Sequence, residues 1–288
     1  MRARGVIGHD NTKPPEADGI YTPGGGAPER WRRGAQADLH VMIFGDSTAA
    51  GVGCVVPDEV PGVRIARGLA EETGKRIRLS TKAISGATSR GLSGQVDAML
   101  VAGPPPDIAV ILVGANDVTK KHSVRRSAHR LGEAVRRLRS TRAIVVVGTC
   151  PDLGVVGAIP QPLRTVVRSW GLRLARNQAQ AVRAAGGRPV RMADVLAPEF
   201  LATPDQLFSA DGFHPSAAGY ELAAKHLLPV ILSALGEWAG GPLPELPEQS
   251  AAGDSRRMFA SVLRQAGRVP AGLARTPRMI PWRAQRYA

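Results

Sequence analysis

The side chains that could do chemistry fall into two short segments that are far apart in the chain. In the first, the apolar run His40–Phe44 is followed by a Gly-Asp-Ser triplet, which predicts a strand ending in a tight turn that presents Ser47. In the second, Asp211 and His214 lie close together on one predicted loop. A serine hydroxyl becomes a good nucleophile when an imidazole accepts its proton and a carboxylate orients that imidazole. If the fold brings the two segments together, the three side chains suit nucleophilic catalysis by serine.

Alternating strands and helices must position these residues. Apolar, β-branched runs predict five strands, and segments with helical spacing lie between and after them. Because strands that alternate with helices form right-handed βαβ units, we predict an α/β fold: a three-layer α/β/α sandwich around a five-stranded parallel sheet. The predicted strands are 41–44, 77–84, 108–113, 143–147 and 190–195, and the predicted helices are 60–72, 89–101, 123–140, 162–185 and 215 or 216 to about 235.

The composition divides the chain into three parts. Residues 38–236 carry the strand–helix pattern and are predicted to form the folded domain. Residues 1–37 are rich in Gly, Pro and charge, which predicts an extended, poorly ordered N-terminal arm. Residues 237–288 form a Pro/Gly linker and a basic C-terminal tail, in which 256–268 could be an amphipathic helix. That helix would pack on the domain or lie on an anionic lipid surface.

Further polar or glycine motifs follow the predicted strands. Ligands of parallel α/β sheets bind at the carboxyl ends of the strands, where Ser47, Gly86 and Asn116 follow the first, second and third strands. A glycine lets its N–H approach a substrate closely, and an asparagine amide is a neutral donor. Asp211 and His214 follow the fifth strand. Each motif alone could be an ordinary turn or helix cap, but the ordered set points to one site.

This ordered set resembles the SGNH hydrolases, also called the GDSL esterase/lipase family, and in particular its actinobacterial members. The resemblance covers about residues 38–236 and implies the flavodoxin-like SGNH fold. It implies that Ser47 is the nucleophile, that His214 is the general base and then the acid, and that Asp211 orients His214. It further implies an oxyanion hole formed by the N–H groups of Ser47 and Gly86 and the side chain of Asn116.

The resemblance implies two-step acyl transfer on a small-molecule or lipid-like carboxylic ester, with no metal and no cofactor. Asp46 and Asp117 are expected to support their loops by hydrogen bonds. A carbohydrate O-deacetylase or a thioesterase of the same fold would use the same residues, so both stay open as alternatives. The loops 54–58, 153–160 and 197–208 are apolar and contain proline, and we expect them to line the substrate pocket.

The formal net charge of +14 is compatible with a solvated basic surface, because 32 of the 38 basic residues are Arg. An alternative of a different class is a basic binding protein that associates with membrane or nucleic acid. Nucleic acid is the weaker partner, since the Arg-rich segments 125–142 and 164–183 lack interleaved aromatic residues. The basic C-terminal tail makes peripheral membrane contact the stronger of the two. The oligomeric state is left open.

The chain has neither an apolar stretch of roughly 18 residues nor an N-terminal apolar segment typical of a secretory signal. We therefore expect a cytoplasmic protein, with contact at the membrane surface as the alternative. The two cysteines, Cys54 and Cys150, are too few for a disulfide framework. Two buried thiols are favoured over a bridge between them.

Overall fold

Six strands form one sheet in the computed structural model, which describes residues 13–241 and residue 243. The strands are β1 (Gly19–Tyr21), β2 (Leu39–Gly45), β3 (Ile77–Thr81), β4 (Ile108–Leu112), β5 (Ile144–Gly148) and β6 (Arg188–Val190). Their order in the sheet is β1-β3-β2-β4-β5-β6. Strands β2 to β6 are parallel, so their carboxyl ends meet at one edge, which is where α/β sheets bind ligands.

The α/β class is confirmed, but the number of strands is corrected from five to six. The additional strand, β1, lies in the segment predicted to be a poorly ordered arm, and it pairs antiparallel with β3. Ile20 and Tyr21 are each only 1% exposed, and the Tyr21 hydroxyl donates a hydrogen bond to the Ala17 carbonyl at 2.7 Å. Burial of these two large side chains stabilises a strand of only three residues at the sheet edge.

The helices cover both faces of the sheet. All five predicted helices are present within about three residues of their predicted bounds, and short helices occur in the loops. In the described part of the chain, the long and short α-helices together are α1 (Ser47–Ala50), α2 (Pro61–Thr73), α3 (Leu92–Ala102), α4 (Ala115–Thr119), α5 (Val124–Ser140), α6 (Leu163–Ala184), α7 (Met192–Val195), α8 (Ala197–Ala202), α9 (Pro204–Leu207) and α10 (Ala217–Leu235).

The fifth predicted strand, 190–195, is wrong over most of its length. Strand β6 ends at Val190, and residues Met192–Val195 form the short helix α7. The side chain of Arg191 forms a hydrogen bond and an ion pair with Asp194, which lies in the first turn of that helix. An acidic residue in the first turn also interacts favourably with the helix dipole, so this local pairing favours a helix after Val190.

The core has one layer on each side of the sheet. Along β2, Val41 and Ile43 pack on the side of α2 and α10, whereas Met42 and Phe44 pack on the side of α3 and α5. All four side chains are at most 4% exposed. Because both faces are covered, the central strands are apolar throughout rather than alternating, as expected for the middle layer of a three-layer fold.

Cys54 and Cys150 are both buried free thiols. Burial raises the pKa of the Cys54 thiol to about 12, so both its position and its protonation state make it unreactive. Across residues 13–241, no helix is long and apolar enough to cross a membrane. The predicted amphipathic helix of the C-terminal tail, 256–268, lies outside the described residues.

Candidate active site

The serine lies on a tight turn between β2 and α1. Gly45 ends the strand with a φ of 135°, Asp46 is the N-cap of α1, and Ser47 is its first residue. A Cβ atom on Gly45 would lie 1.8 Å from the carbonyl oxygen of Leu112, so no larger residue fits there without moving β4. The turn therefore holds Ser47 against the carboxyl edge of the sheet, with its side chain only partly accessible.

The loop before α10 brings the imidazole to this serine. His214 Nε2 lies 2.9 Å from Ser47 Oγ, and His214 Nδ1 lies 2.5 Å from Asp211 Oδ2. Ser47 and His214 are 7% and 8% exposed, so water competes weakly for these hydrogen bonds. The three residues selected from the sequence thus form one continuous hydrogen-bonded chain, although Ser47 is far from the other two in sequence.

Asp211 is fixed by more than its contact with the imidazole. Its Oδ1 atom accepts hydrogen bonds of 2.8 Å from the Ser209 hydroxyl and from the backbone N–H groups of Phe213 and His214. Burial alone would raise the pKa of this carboxyl, but these bonds and the one from the His214 ring together hold it below its ordinary value of 3.8. Asp211 is therefore a carboxylate that accepts a hydrogen bond from the Nδ1–H group and so sets the tautomer of His214.

Three candidate donors follow β2, β3 and β4: one lies on α1, one on the loop after β3 and one on α4. Within the described part of the chain, the N–H groups of Ser47 and Gly86 donate to no backbone or side-chain acceptor. Asn116 Nδ2 donates one hydrogen to the Ala87 carbonyl at 3.0 Å, which leaves its second hydrogen available. Gly86 has a φ of 76° and is exposed, and no atom lies within 4 Å of where its Cβ would be. Each of the three groups therefore has a hydrogen available for an acceptor.

Asp117 joins the loop that carries Gly86 to the loop that carries Asn116. It is 1% exposed and accepts hydrogen bonds from the Ser89 N–H at 2.9 Å, the Ser89 hydroxyl at 2.8 Å and the Ser127 hydroxyl at 2.7 Å. His122 Nδ1 lies 3.4 Å from the same carboxylate. The buried Asp117 side chain therefore fixes the relative positions of the segments after β3 and β4.

Asp46 connects the serine turn to the loop after β4. Its side chain accepts a hydrogen bond from the Thr48 N–H at 2.9 Å and another from the N–H of Gly114. The residue is 2% exposed, and burial raises its pKa to about 6 although these donors and nearby His214 favour the ionised form. Asp46 makes no hydrogen bond to the Ser47 hydroxyl, which is bonded to His214 instead.

Two buried glutamines hold the strand ends, and the sequence analysis did not identify them. Gln95 on α3 accepts from the Gly45 N–H at 2.9 Å and donates to the Gly45 carbonyl at 2.7 Å. Gln178 on α6 donates to the Val113 carbonyl at 3.0 Å and accepts from the Cys150 N–H at 2.7 Å. Each amide occupies an otherwise apolar face of its helix, and a polar residue at such a position is the signal that could have found them.

A mainly apolar cavity of about 100 Å³ lies near the hydrogen-bonded chain; Asp46 and Pro215 contribute to its lining, whereas Ser47, Asp211 and His214 do not. Residues that flank the site in sequence open onto it, namely Thr48, Ala115 and Phe213. The predicted pocket loops 153–160 and 197–208 both contribute to its lining, but the loop 54–58 does not. Most of the remaining wall comes from Leu112, Val113, Leu153, Val155, Val156, Met192, Leu196, Phe200, Phe208 and Tyr220. Among the described residues, no group of three or more His, Cys, Asp or Glu side chains could hold a metal ion.

Comparison with known proteins decides the family. The sequence pattern of the GDSL-like lipase/acylhydrolase family matches residues 43–222. A GDSL-like esterase of Mycobacterium tuberculosis is 56% identical over 278 residues, which cover 94% of this chain and 88% of that protein. The chain belongs to the GDSL-like lipase/acylhydrolase family. The resemblance predicted from the four motifs is thereby confirmed, and this GDSL-like protein is a carboxylic ester hydrolase.

Solved structures agree with the fold of this GDSL-like hydrolase. The lipase/acylhydrolase from Enterococcus faecalis superimposes with a TM-score of 0.53 at 22% identity, covering 68% of this chain and 96% of that one. The psychrotrophic esterase EstA from Pseudoalteromonas sp. gives a TM-score of 0.52 at 20% identity, covering 69% and 100% of the two chains. At these identities the likeness establishes the α/β fold alone.

Proposed function

We propose that this hydrolase cleaves small carboxylic esters with short acyl chains through an acyl-enzyme intermediate on Ser47. The observation that carries the proposal is the unbroken hydrogen-bonded chain from Asp211 through His214 to Ser47. In the first step, Ser47 Oγ attacks the ester carbonyl while His214 Nε2 takes its proton. The imidazolium then protonates the leaving alcohol. In the second step, His214 activates a water molecule, which releases the acid and regenerates the serine.

The tetrahedral intermediate of each step carries an anionic oxygen that needs donors. The N–H groups of Ser47 and Gly86 and the free hydrogen of Asn116 Nδ2 are the groups proposed to bind it. Two observations support this assignment. The described structure provides no acceptor for these three hydrogens, and it fixes the segments that carry them. One preorganised donor of this kind is typically worth about 3–4 kcal/mol of activation barrier.

The volume of the cavity supports a substrate with a short acyl chain. Its volume of about 100 Å³ is smaller than the roughly 150 Å³ of an engineered apolar cavity that accepts benzene. An acyl group of roughly four carbons is therefore the largest that enters without displacing wall residues such as Phe200, Phe208 and Met192. Because those side chains are apolar, burial favours the hydrocarbon part of an acyl group that extends from Ser47 into the cavity.

The test is hydrolysis of p-nitrophenyl esters from acetate to dodecanoate, combined with labelling by a serine-reactive phosphonate. Ser47→Ala should lower kcat by about 10⁵-fold or more and abolish labelling, and Asp211→Asn should lower kcat about 10⁴-fold by favouring the wrong tautomer of His214. Ser140→Ala, on the exposed end of α5, is the matched control and should keep wild-type activity.

Two results would contradict the proposal. If Ser47→Ala kept more than about one hundredth of the wild-type kcat, the nucleophile would be assigned to the wrong residue, since removing a triad serine costs far more than this. If dodecanoate were cleaved with the same kcat/KM as butyrate, the cavity would not be the acyl site. The first result concerns the mechanism and the second only the substrate.

A further inference from the structure

Lys120 contacts the loop that carries the candidate oxyanion donor Gly86. Its Nζ atom donates a hydrogen bond to the carbonyl oxygen of Gly86 at 2.7 Å. One helical turn earlier, Asn116 Nδ2 donates to the next carbonyl oxygen, that of Ala87, at 3.0 Å. Lys120 is the C-cap of α4, and its own N–H donates to the carbonyl of Asn116. Two side chains of one short segment thus hold two consecutive carbonyl groups of the neighbouring loop.

The geometry of that loop decides where the Gly86 N–H points. Residues 84–87 form a turn closed by a hydrogen bond of 3.0 Å from the Ala87 N–H to the Ile84 carbonyl. Gly86, at the third position, has a φ of 76°, which is the value that a type II turn requires there. In a type I turn the peptide before that residue is rotated by about half a turn, so the Gly86 N–H would point the opposite way.

Packing does not select between the two turn types. Gly86 is exposed, and no atom lies within 4 Å of the position that its Cβ would occupy. A glycine adopts both signs of φ with similar ease, so its own conformational preference does not select the type II turn either. The Gly86 carbonyl points the same way in both turn types, because the Ala87 N–H bonds the Ile84 carbonyl in each. The hydrogen bond from Lys120 to that carbonyl therefore fixes where the turn lies relative to α4, together with the bond from Asn116 to the Ala87 carbonyl.

We propose that Lys120 is a positioning residue for the oxyanion hole: its ammonium group holds the Gly86 carbonyl and so keeps the turn that carries the Gly86 N–H in place beside Asn116. The inference rests on the proposed function, in which that N–H is a donor. Lys120 itself touches neither the substrate nor the reacting atoms. Its effect therefore belongs to the transition state, and binding of the uncharged ester should depend on it little.

The test compares three variants of the full-length protein with p-nitrophenyl butyrate and with a phosphonate ester. Lys120→Met keeps the length of the side chain but removes the donor, and we expect kcat and the rate of phosphonylation of Ser47 each to fall about 10-fold. The loss is smaller than the 10²–10³-fold expected when a donor is removed, because the Gly86 N–H of an untethered turn still samples the correct position. KM should change less than about two-fold.

Two further variants separate positioning from a general effect of charge or stability. Lys120→Arg keeps a cationic donor and should restore kcat to within about two- to three-fold of wild type. Lys121→Met removes the adjacent exposed lysine, whose side chain makes no hydrogen bond within the described residues, and should leave kcat unchanged. Thermal unfolding should be unaffected in all three variants, because both lysines are exposed.

The outcomes distinguish this inference from the proposed function. Wild-type kcat in Lys120→Met, together with an inactive Ser47→Ala variant, would overturn the role of Lys120 alone. Equal losses in the Met and Arg variants, a change confined to KM, or a loss that follows a lower unfolding temperature would also overturn it. Activity retained in Ser47→Ala would overturn the proposed function and the inference together.

Discussion

The buried carboxyl of Asp46 should make the stability of this protein depend on pH in an unusual direction. In the folded state its pKa is raised from 3.8 to about 6. Between these two values the carboxyl is protonated in the folded chain and ionised in the unfolded chain. The folded state then binds more protons, so the free energy of unfolding falls as the pH rises through this window. The loss is complete about one pH unit above the folded-state pKa, near pH 7.

The size of the effect follows from the shift. A rise from 3.8 to about 6 corresponds to a loss of about 3 kcal/mol from low to neutral pH. About 2 kcal/mol of this falls between pH 4 and pH 7, where the two states differ in protonation. In Asp46→Asn this pH-dependent part is absent. The variant also loses an acceptor for the Thr48 or Gly114 N–H, but that cost is the same at every pH.

The assay is urea unfolding of wild type and Asp46→Asn at unit steps from pH 4 to pH 8, followed by tryptophan fluorescence. The quantity of interest is the free energy of unfolding of wild type minus that of the variant. It should decrease by about 2 kcal/mol between pH 4 and pH 7 and then stay constant. A difference for Asp46→Asn that does not change with pH would refute the reasoning.

Two other predictions concern the strand β2. Gly45→Ala should destabilise the fold by about 3 kcal/mol or more and abolish activity, because its Cβ meets the Leu112 carbonyl at 1.8 Å. Gly74→Ala, also at positive φ but with open space around it, should cost about 1 kcal/mol, and similar losses for both would be contrary to this steric account. Burial lowers the pKa of His40 to about 4, so the stability that its neutral ring contributes is present above pH 6.5 and is lost as the pH falls towards 4. Relative to His40→Gln, whose amide can still bond Ser80, wild type should lose about 3 kcal/mol between pH 7 and pH 4 in urea titrations, and parallel curves would contradict this.

The candidate site was readable from the sequence because its motifs follow different predicted strands, of which β2 and β4 are strongly apolar. Parallel strands place their carboxyl ends together, so finding Ser47, Gly86, Asn116 and His214 after different strands already placed them at one edge. The distances between these residues could not be derived from the strands that they follow. The 2.9 Å contact between Ser47 and His214 depends on the packing of α10 and on side-chain rotamers that no local pattern encodes.

The parts that sequence analysis missed share a physical cause. Strand β1 is too short for a period of two to be visible, and it is stabilised by burial of Ile20 and Tyr21 against the rest of the domain. Helix α7 replaced a predicted strand through the contact between Arg191 and Asp194, which competes with the β preference of the adjacent residues. In both cases contacts outside the local apolar pattern decided the structure.

The two glutamines that bind the strand ends have a consequence for engineering. Gln95 on α3 and Gln178 on α6 bind the Gly45 N–H and carbonyl, the Val113 carbonyl and the Cys150 N–H, and of these the Gly45 carbonyl also accepts from the Ile84 N–H at 3.1 Å. The segments that carry Ser47, Gly86, Asn116 and His214 therefore cannot be transferred to another scaffold by themselves. A scaffold that received them without matching amides on its helices would leave several buried backbone groups unpaired, at about 1–3 kcal/mol each. Grafting this site onto another scaffold should therefore include both glutamines and the helices that carry them.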